Sequence, residues 1–137
     1  MRTKILMALL MALLAAAAVS GCNTTTTVSP SLKVTVVGKP LNIDTHYSTN
    51  PDCTSAGQPT VRIIEAPKHG KVELRETTDF PEFKANNSRA HCNMRRVPVV
   101  QITYIPAPGY SGPDSFKTDV VYASGTARLY DYKVDVR

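Results

Sequence analysis

The chain has 137 residues, with 16 basic and 11 acidic side chains for a net charge of +5, no tryptophan and three cysteines. The basic residues are not strung along one element with aromatic partners, which excludes a dedicated nucleic-acid binder. No Ser-His-Asp or paired-carboxylate arrangement can be argued from spacing, so neither a catalytic centre nor a cofactor is expected.

In chain order, Arg2 and Lys4 make a positive start, Ile5 through Val19 is almost wholly Leu, Met, Ala and Val, and Ser20-Gly21 ends the run in small residues. This is the three-part layout of a secretory signal, and the run is too short and too rich in alanine for a good membrane span. Val19-Ser20-Gly21-Cys22 resembles the lipobox of bacterial lipoproteins. The resemblance implies removal of residues 1–21, a lipid on the Cys22 thiol and residence in the cell envelope, held to the membrane by that lipid. Asn23 is not the aspartate that retains such proteins at the inner membrane of enteric bacteria, so the outer membrane is the expected location. Cleavage leaves 116 residues, and the loss of Arg2 and Lys4 leaves 14 basic against 11 acidic side chains, a mild +3. That length suits one domain with a modest core.

Asn23–Ser31 (NTTTTVSPS) has no apolar period. With Cys22 it is expected to form a flexible tether, 22–31, reaching roughly 30 Å when extended. The domain proper is then 32–137, and it reads as β structure. Leu32–Val37, Thr60–Ile64, Lys71–Leu74, Val97–Ile105, Ser115–Tyr122 and Thr126–Val136 are short runs rich in Val, Ile, Thr and Tyr between Pro, Gly, Asn and Asp clusters. Tyr130, Tyr132, Val134 and Val136 alternate with Leu129, Asp131, Lys133 and Asp135, and Val100, Ile102 and Tyr104 alternate similarly; both are the period of a strand with one face on a core. Pro98, inside a predicted strand, implies an edge or a bulge. About seven antiparallel strands in this length predict a β-sandwich, with an immunoglobulin-like topology and a small barrel both open to the pattern alone.

Once Cys22 is assigned to lipid, Cys53 and Cys92 remain as an even pair in an oxidising compartment and are expected to form a disulfide. His91-Cys92-Asn93-Met94 also offers soft donors of the kind copper uses, but a cysteine with a ready disulfide partner makes a metal site the weaker reading. Asp44, Asp52, Asp114 and Asp119 lack the spacing of a calcium loop and read as turn and surface carboxylates. The polar segment Thr77–Met94, with the following arginines, gathers Lys84, Arg89, His91, Arg95 and Arg96 near Cys92. A solvated loop on a positively charged protein is the plainer reading. The functional one is a site for an anionic envelope polymer or an envelope protein.

Pro67-Lys68-His69-Gly70-Lys71-Val72-Glu73-Leu74, followed by Tyr104-Ile105-Pro106-Ala107-Pro108-Gly109-Tyr110-Ser111-Gly112-Pro113-Asp114-Ser115-Phe116, resembles the signature of bacterial immunoglobulin-like and cadherin-like repeat domains. The resemblance runs from about Thr60 to the C-terminus and implies an immunoglobulin-like sandwich used for adhesion, display or spacing. In such a motif Gly109 and Gly112 permit tight reversals, Tyr110 folds back as a plug, Asp114 bonds backbone amides to close the turn, and Phe116 enters the core. His69 reads as a turn residue bonding its own backbone. The resulting expectation is a lipid-anchored, non-enzymatic binding or structural module of the envelope; the alternative is a small inhibitor of a lysozyme or protease, since stapled β scaffolds with projecting loops serve both.

Overall fold

Tyr130, Tyr132, Val134 and Val136 all lie buried, as their alternation predicts. They belong to the last of eight strands in the computed structural model, which describes residues 26–137. The export signal expected at residues 1–21 and the lipid site expected at Cys22 fall outside the described residues. The strands are β1 (Thr26–Val28), β2 (Lys33–Thr35), β3 (Leu41–Tyr47), β4 (Thr60–Glu65), β5 (Gly70–Asp79), β6 (Val97–Pro106), β7 (Gly112–Val121) and β8 (Ala127–Val136), with a short 3-10 helix at Ala90–Met94.

Two sheets pack as a sandwich. In one, β8, β7 and β4 run antiparallel, and β1 and β2 lie one after the other along the free edge of β8, parallel to it. In the other, β6 stands between β3 and β5, antiparallel to both. Between the sheets, Phe116 of β7 stacks on Tyr132 of β8 with ring centroids 4.9 Å apart, and Tyr104 of β6 lies parallel to Phe116 from the opposite sheet at 6.3 Å. Ile43, Ile102, Val120 and Val134 fill the space around them. Each fully buried aliphatic or aromatic side chain of this kind contributes about 1.5–3 kcal/mol relative to exposure.

The structure departs from the sequence expectation in four places. Thr26–Val28, read as tether, is a strand registered on Arg128, Leu129 and Tyr130 of β8, and both it and β2 are parallel where antiparallel pairing was expected. Strand β3 had no counterpart in the sequence reading. A register shift between Asn42 and Asp44 places its inward side chains, Ile43 and His46, three positions apart, and the second of them is polar. Such a bulge erases the period of two. Strand β5 runs on to Asp79, so Thr77–Asp79 belong to the ladder with β6 rather than to the basic loop. As an edge strand it is mostly exposed and charged, which hides it from a hydrophobic pattern and guards the edge against pairing with another chain. Pro98 lies in the central strand β6, yet one position past the last β3 partner, Tyr47 on Val99, so its missing N–H falls where β6 is locally an edge.

Candidate functional site

The two ends of the sandwich carry different chemistry. At the end where β5 and β7 begin, the two halves of the motif meet. The Asp114 carboxylate, on β7, accepts hydrogen bonds from the backbone N–H of Lys68 (3.0 Å) and His69 (2.9 Å), from its neighbour Ser115 (2.9 Å) and from the Tyr104 hydroxyl (2.8 Å). Burial works to raise this carboxyl, but the Tyr104 hydroxyl and the three amides outweigh it and hold the group below the ordinary aspartate range. The turn it closes is therefore the one before β5, not the β6–β7 connection expected from the sequence. His69 does not bond its own backbone through its side chain; its ring stacks on Tyr110 at 4.1 Å, nearly parallel to it, while the Tyr110 hydroxyl donates to the Pro113 carbonyl at 2.7 Å. Gly109 and Gly112 both have positive φ, +73° and +132°, which L side chains rarely adopt, and Phe116 is buried in the core. Asp114, Tyr104, Tyr110, His69 and Phe116 are thus engaged in local structure.

The opposite end, where β3 and β7 finish and β8 starts, holds the candidate site. A cleft of about 730 Å3 opens between the β7–β8 hairpin, the end of β3 and the loop 80–96. Beneath it runs a chain of hydrogen bonds with a fixed direction. Asp44 Oδ2 can only accept, so the Tyr132 hydroxyl donates to it (2.8 Å) and accepts a hydrogen bond from His46 Nε2–H (3.1 Å). His46 Nδ1 is then the acceptor for the Tyr122 hydroxyl (3.1 Å), which in turn accepts from Tyr130 (2.7 Å). His46 is 4% exposed, and burial lowers its pKa against the opposing pull of Asp44, which keeps the ring neutral. Burial, foremost, raises Tyr122 and Tyr132 and keeps them protonated. Both imidazole nitrogens are engaged by tyrosine hydroxyls. The Ser48 and Thr49 hydroxyls in the cleft wall have no hydrogen-bond partner among the described residues.

A neutral buried histidine ties stability to pH. The unfolded chain takes up a proton below about 6.5, whereas folded His46 resists it, so the stabilisation is complete above that value and is lost as pH falls below it. Urea unfolding at pH 5 is expected to give a stability lower by up to about 2 kcal/mol than at pH 7.5. His46→Phe should flatten this difference; an equal pH dependence in the variant would show that another group is responsible.

The Cys53–Cys92 disulfide is present, with Cα atoms 5.1 Å apart, and it fastens the 3-10 helix to the turn Asn50–Thr54. Two of the basic residues join this contact: His91 Nε2 lies 3.2 Å from the Pro51 carbonyl, and Arg95 donates to the Asp52 carbonyl at 3.1 Å. Asn93 braces the loop from within, its side chain accepting from Phe83 N–H and donating to Phe83 C=O, both at 2.9 Å. Arg96 sits over the Phe80 ring at 5.1 Å, and Lys84 is exposed. Only Arg89 of the five lines the cleft. The cation that accompanies it there, Arg128, comes from β8 and lies over the Tyr122 ring at 5.8 Å. Sequence reading missed Arg128, His46 and Asn93; adjacency along the chain gave no signal for residues brought together by the two sheets.

Cys53, His91 and Cys92 bring possible donor atoms within 4.8 Å of one another, but both sulfurs are in the disulfide and neither is a thiolate. The four aspartates weighed for calcium have their own partners: Asp44 with Tyr132, Asp52 with Thr54, Asp114 with the amides above and Asp119 with Arg62. Among the described residues no helix is long and apolar enough to cross a membrane. No protein-family model matches the chain, and no curated protein sequence matches it.

Proposed function

We propose that this is a lipid-anchored, immunoglobulin-like module of the bacterial cell envelope, non-enzymatic, which binds an anionic partner at its disulfide-stapled end. The observation that carries the reading is the loop 80–96, fastened by Cys53–Cys92, His91 and Arg95 to the 50–54 turn, with its Arg89 lining the same cleft as Arg128 of β8. A long loop held this firmly on a rigid scaffold is a common way to present a binding surface.

Strand order supports the immunoglobulin-like assignment. Taking β3 to β8 as strands B to G, the sheets read B-E-D and G-F-C, the constant-type arrangement, with the first strand moved onto G. The joining of both motif halves through Asp114 gives the sequence resemblance a physical basis. Lipid attachment at Cys22 and an outer-membrane location rest on the sequence around the signal.

Sedimentation with isolated anionic wall polymer tests the binding claim. Protein carrying Cys22→Ser, which keeps it soluble, is expected to co-sediment in low salt and to be released by high salt. Removing Arg89 or Arg128 should weaken binding by about tenfold each, the worth of one charge-assisted contact. Salt-independent binding, or none, contradicts the claim, and stoichiometric inhibition of a lysozyme or protease would replace it with the inhibitor reading.

A further inference from the structure

The register of β1 fixes which end of the domain the anchor leaves from. Thr26 pairs with Arg128, at the start of β8, so the chain before Thr26 emerges beside the cleft and the β7–β8 hairpin. Only four residue steps separate Cys22 from Thr26, a span of at most about 14 Å. Strand β8, ten residues long, extends roughly 33 Å to the motif end. Thr26 and the start of β8 therefore stay within about 14 Å of the surface that holds the lipid, which puts the cleft end nearer to it in every upright orientation, and the motif end approaches it only if the sandwich lies flat.

The chemistry of this end suits such a surface. Lys84, Arg89, Arg95, Arg96 and Arg128 outnumber Asp44, Asp52, Asp79 and Glu82, and Asp44 and Asp79 are held by the Tyr132 hydroxyl at 2.8 Å and the Gln101 amide at 3.0 Å. Met94, at the end of the 3-10 helix in the same loop, is 86% exposed, and Phe80, beneath Arg96, is 44% exposed. Exposed apolar side chains in a basic loop suit a protein face that rests in the headgroup region of a bilayer.

We propose that the cleft end docks on anionic phospholipid headgroups of the membrane that carries the anchor, with Lys84, Arg89, Arg95 and Arg128 against the phosphates and Met94 at the interface. This deepens the binding reading above and rests on lipid attachment at Cys22. Attraction to a charged surface decays over about 8–10 Å at physiological salt, and covalent reach alone holds Thr26 within about two such lengths of it.

Amide hydrogen exchange on the mature protein tests this, with Cys22 joined either to its natural lipid or to a maleimide lipid in vesicles. In phosphatidylglycerol-containing vesicles, exchange is expected to slow in 84–96 and 122–126 relative to soluble Cys22→Ser protein, with 36–40 and 107–111 unchanged. In pure phosphatidylcholine that protection should be lost. Unlipidated protein carrying Arg89→Ser and Arg128→Ser, shown to be folded by its melting curve, should partition onto the anionic vesicles less well by about fivefold for each cation removed. Protection at 36–40 and 107–111 instead, no dependence on phosphatidylglycerol, or protection of the loops by wall polymer but not by vesicles would overturn the proposal. Because the maleimide lipid anchors the protein regardless, absence of a natural lipid on Cys22 overturns the anchoring reading alone.

Discussion

Replacing Cys53 and Cys92 together by alanine is expected to lower stability by about 4 kcal/mol, the loop-closure value for a bridge spanning 39 positions. In a domain whose whole stability is of order 5–15 kcal/mol this is the largest covalent contribution available to it. Cys92 is fully buried and Cys53 nearly so, so native protein should show no reactive thiol and should resist mild reductant until it is unfolded. The loop would keep its internal brace, since Asn93 holds Phe83 independently of the bridge. What goes is its seat on the 50–54 turn, where only the exposed contacts of His91 and Arg95 remain. Urea unfolding of the double variant gives the stability, and faster amide exchange in 80–96 with β6 to β8 still protected gives the local effect. Two thiols titrating in native protein kept under oxidising conditions would sink this reading.

Asp114→Ala is expected to lower stability by about 3 kcal/mol, roughly 15 °C in Tm, because it strands the Tyr104 hydroxyl in the core and unpairs the amides of Lys68 and His69. Asp114→Asn, of the same shape but uncharged, should fall between wild type and alanine. Gly112→Val should also destabilise, since its φ of +132° is strained for any side chain and a Cβ would stand 3.1 Å from the Tyr110 hydroxyl. The Asp114 contribution is present above the ordinary aspartate value near 3.9 and is lost as pH falls through its lowered folded value, well below the window in which His46 acts. An unchanged melting temperature in Asp114→Ala would mean that the joined motif halves contribute nothing.

Where one face of a strand meets an apolar core and the ladder is regular, the fold was legible: β6 and β8 follow the alternation of Val100, Ile102 and Tyr104 and of Tyr130 to Val136. Strand β3 was not, because its bulge breaks the period and its inner position is filled by His46, a polar residue accommodated by Tyr132 on β8 and by Tyr122 in the β7–β8 connection. Thr26–Val28 could not be recognised as a strand since its partner is the far end of the chain and its burial is slight. The disulfide followed from counting cysteines. The basic loop was found as a charge cluster, yet charge along the chain does not say which cations point where: Arg95 and His91 turn to the 50–54 turn, Arg96 to Phe80, and Arg89 to a cleft whose second arginine is almost forty positions away. Asp114 was singled out as a closer of turns, and the turn it closes lies on another strand.

The central claim, that a lipid at Cys22 holds this module to the envelope, is tested most directly by the intact mass of protein recovered from the membrane fraction. The expected result is a chain beginning at Cys22, heavier by a diacylglyceryl group, with Cys22→Ser lost from the detergent phase. An unmodified chain with a different N-terminus, or a Cys22→Ser variant that partitions into detergent as the wild type does, would contradict it.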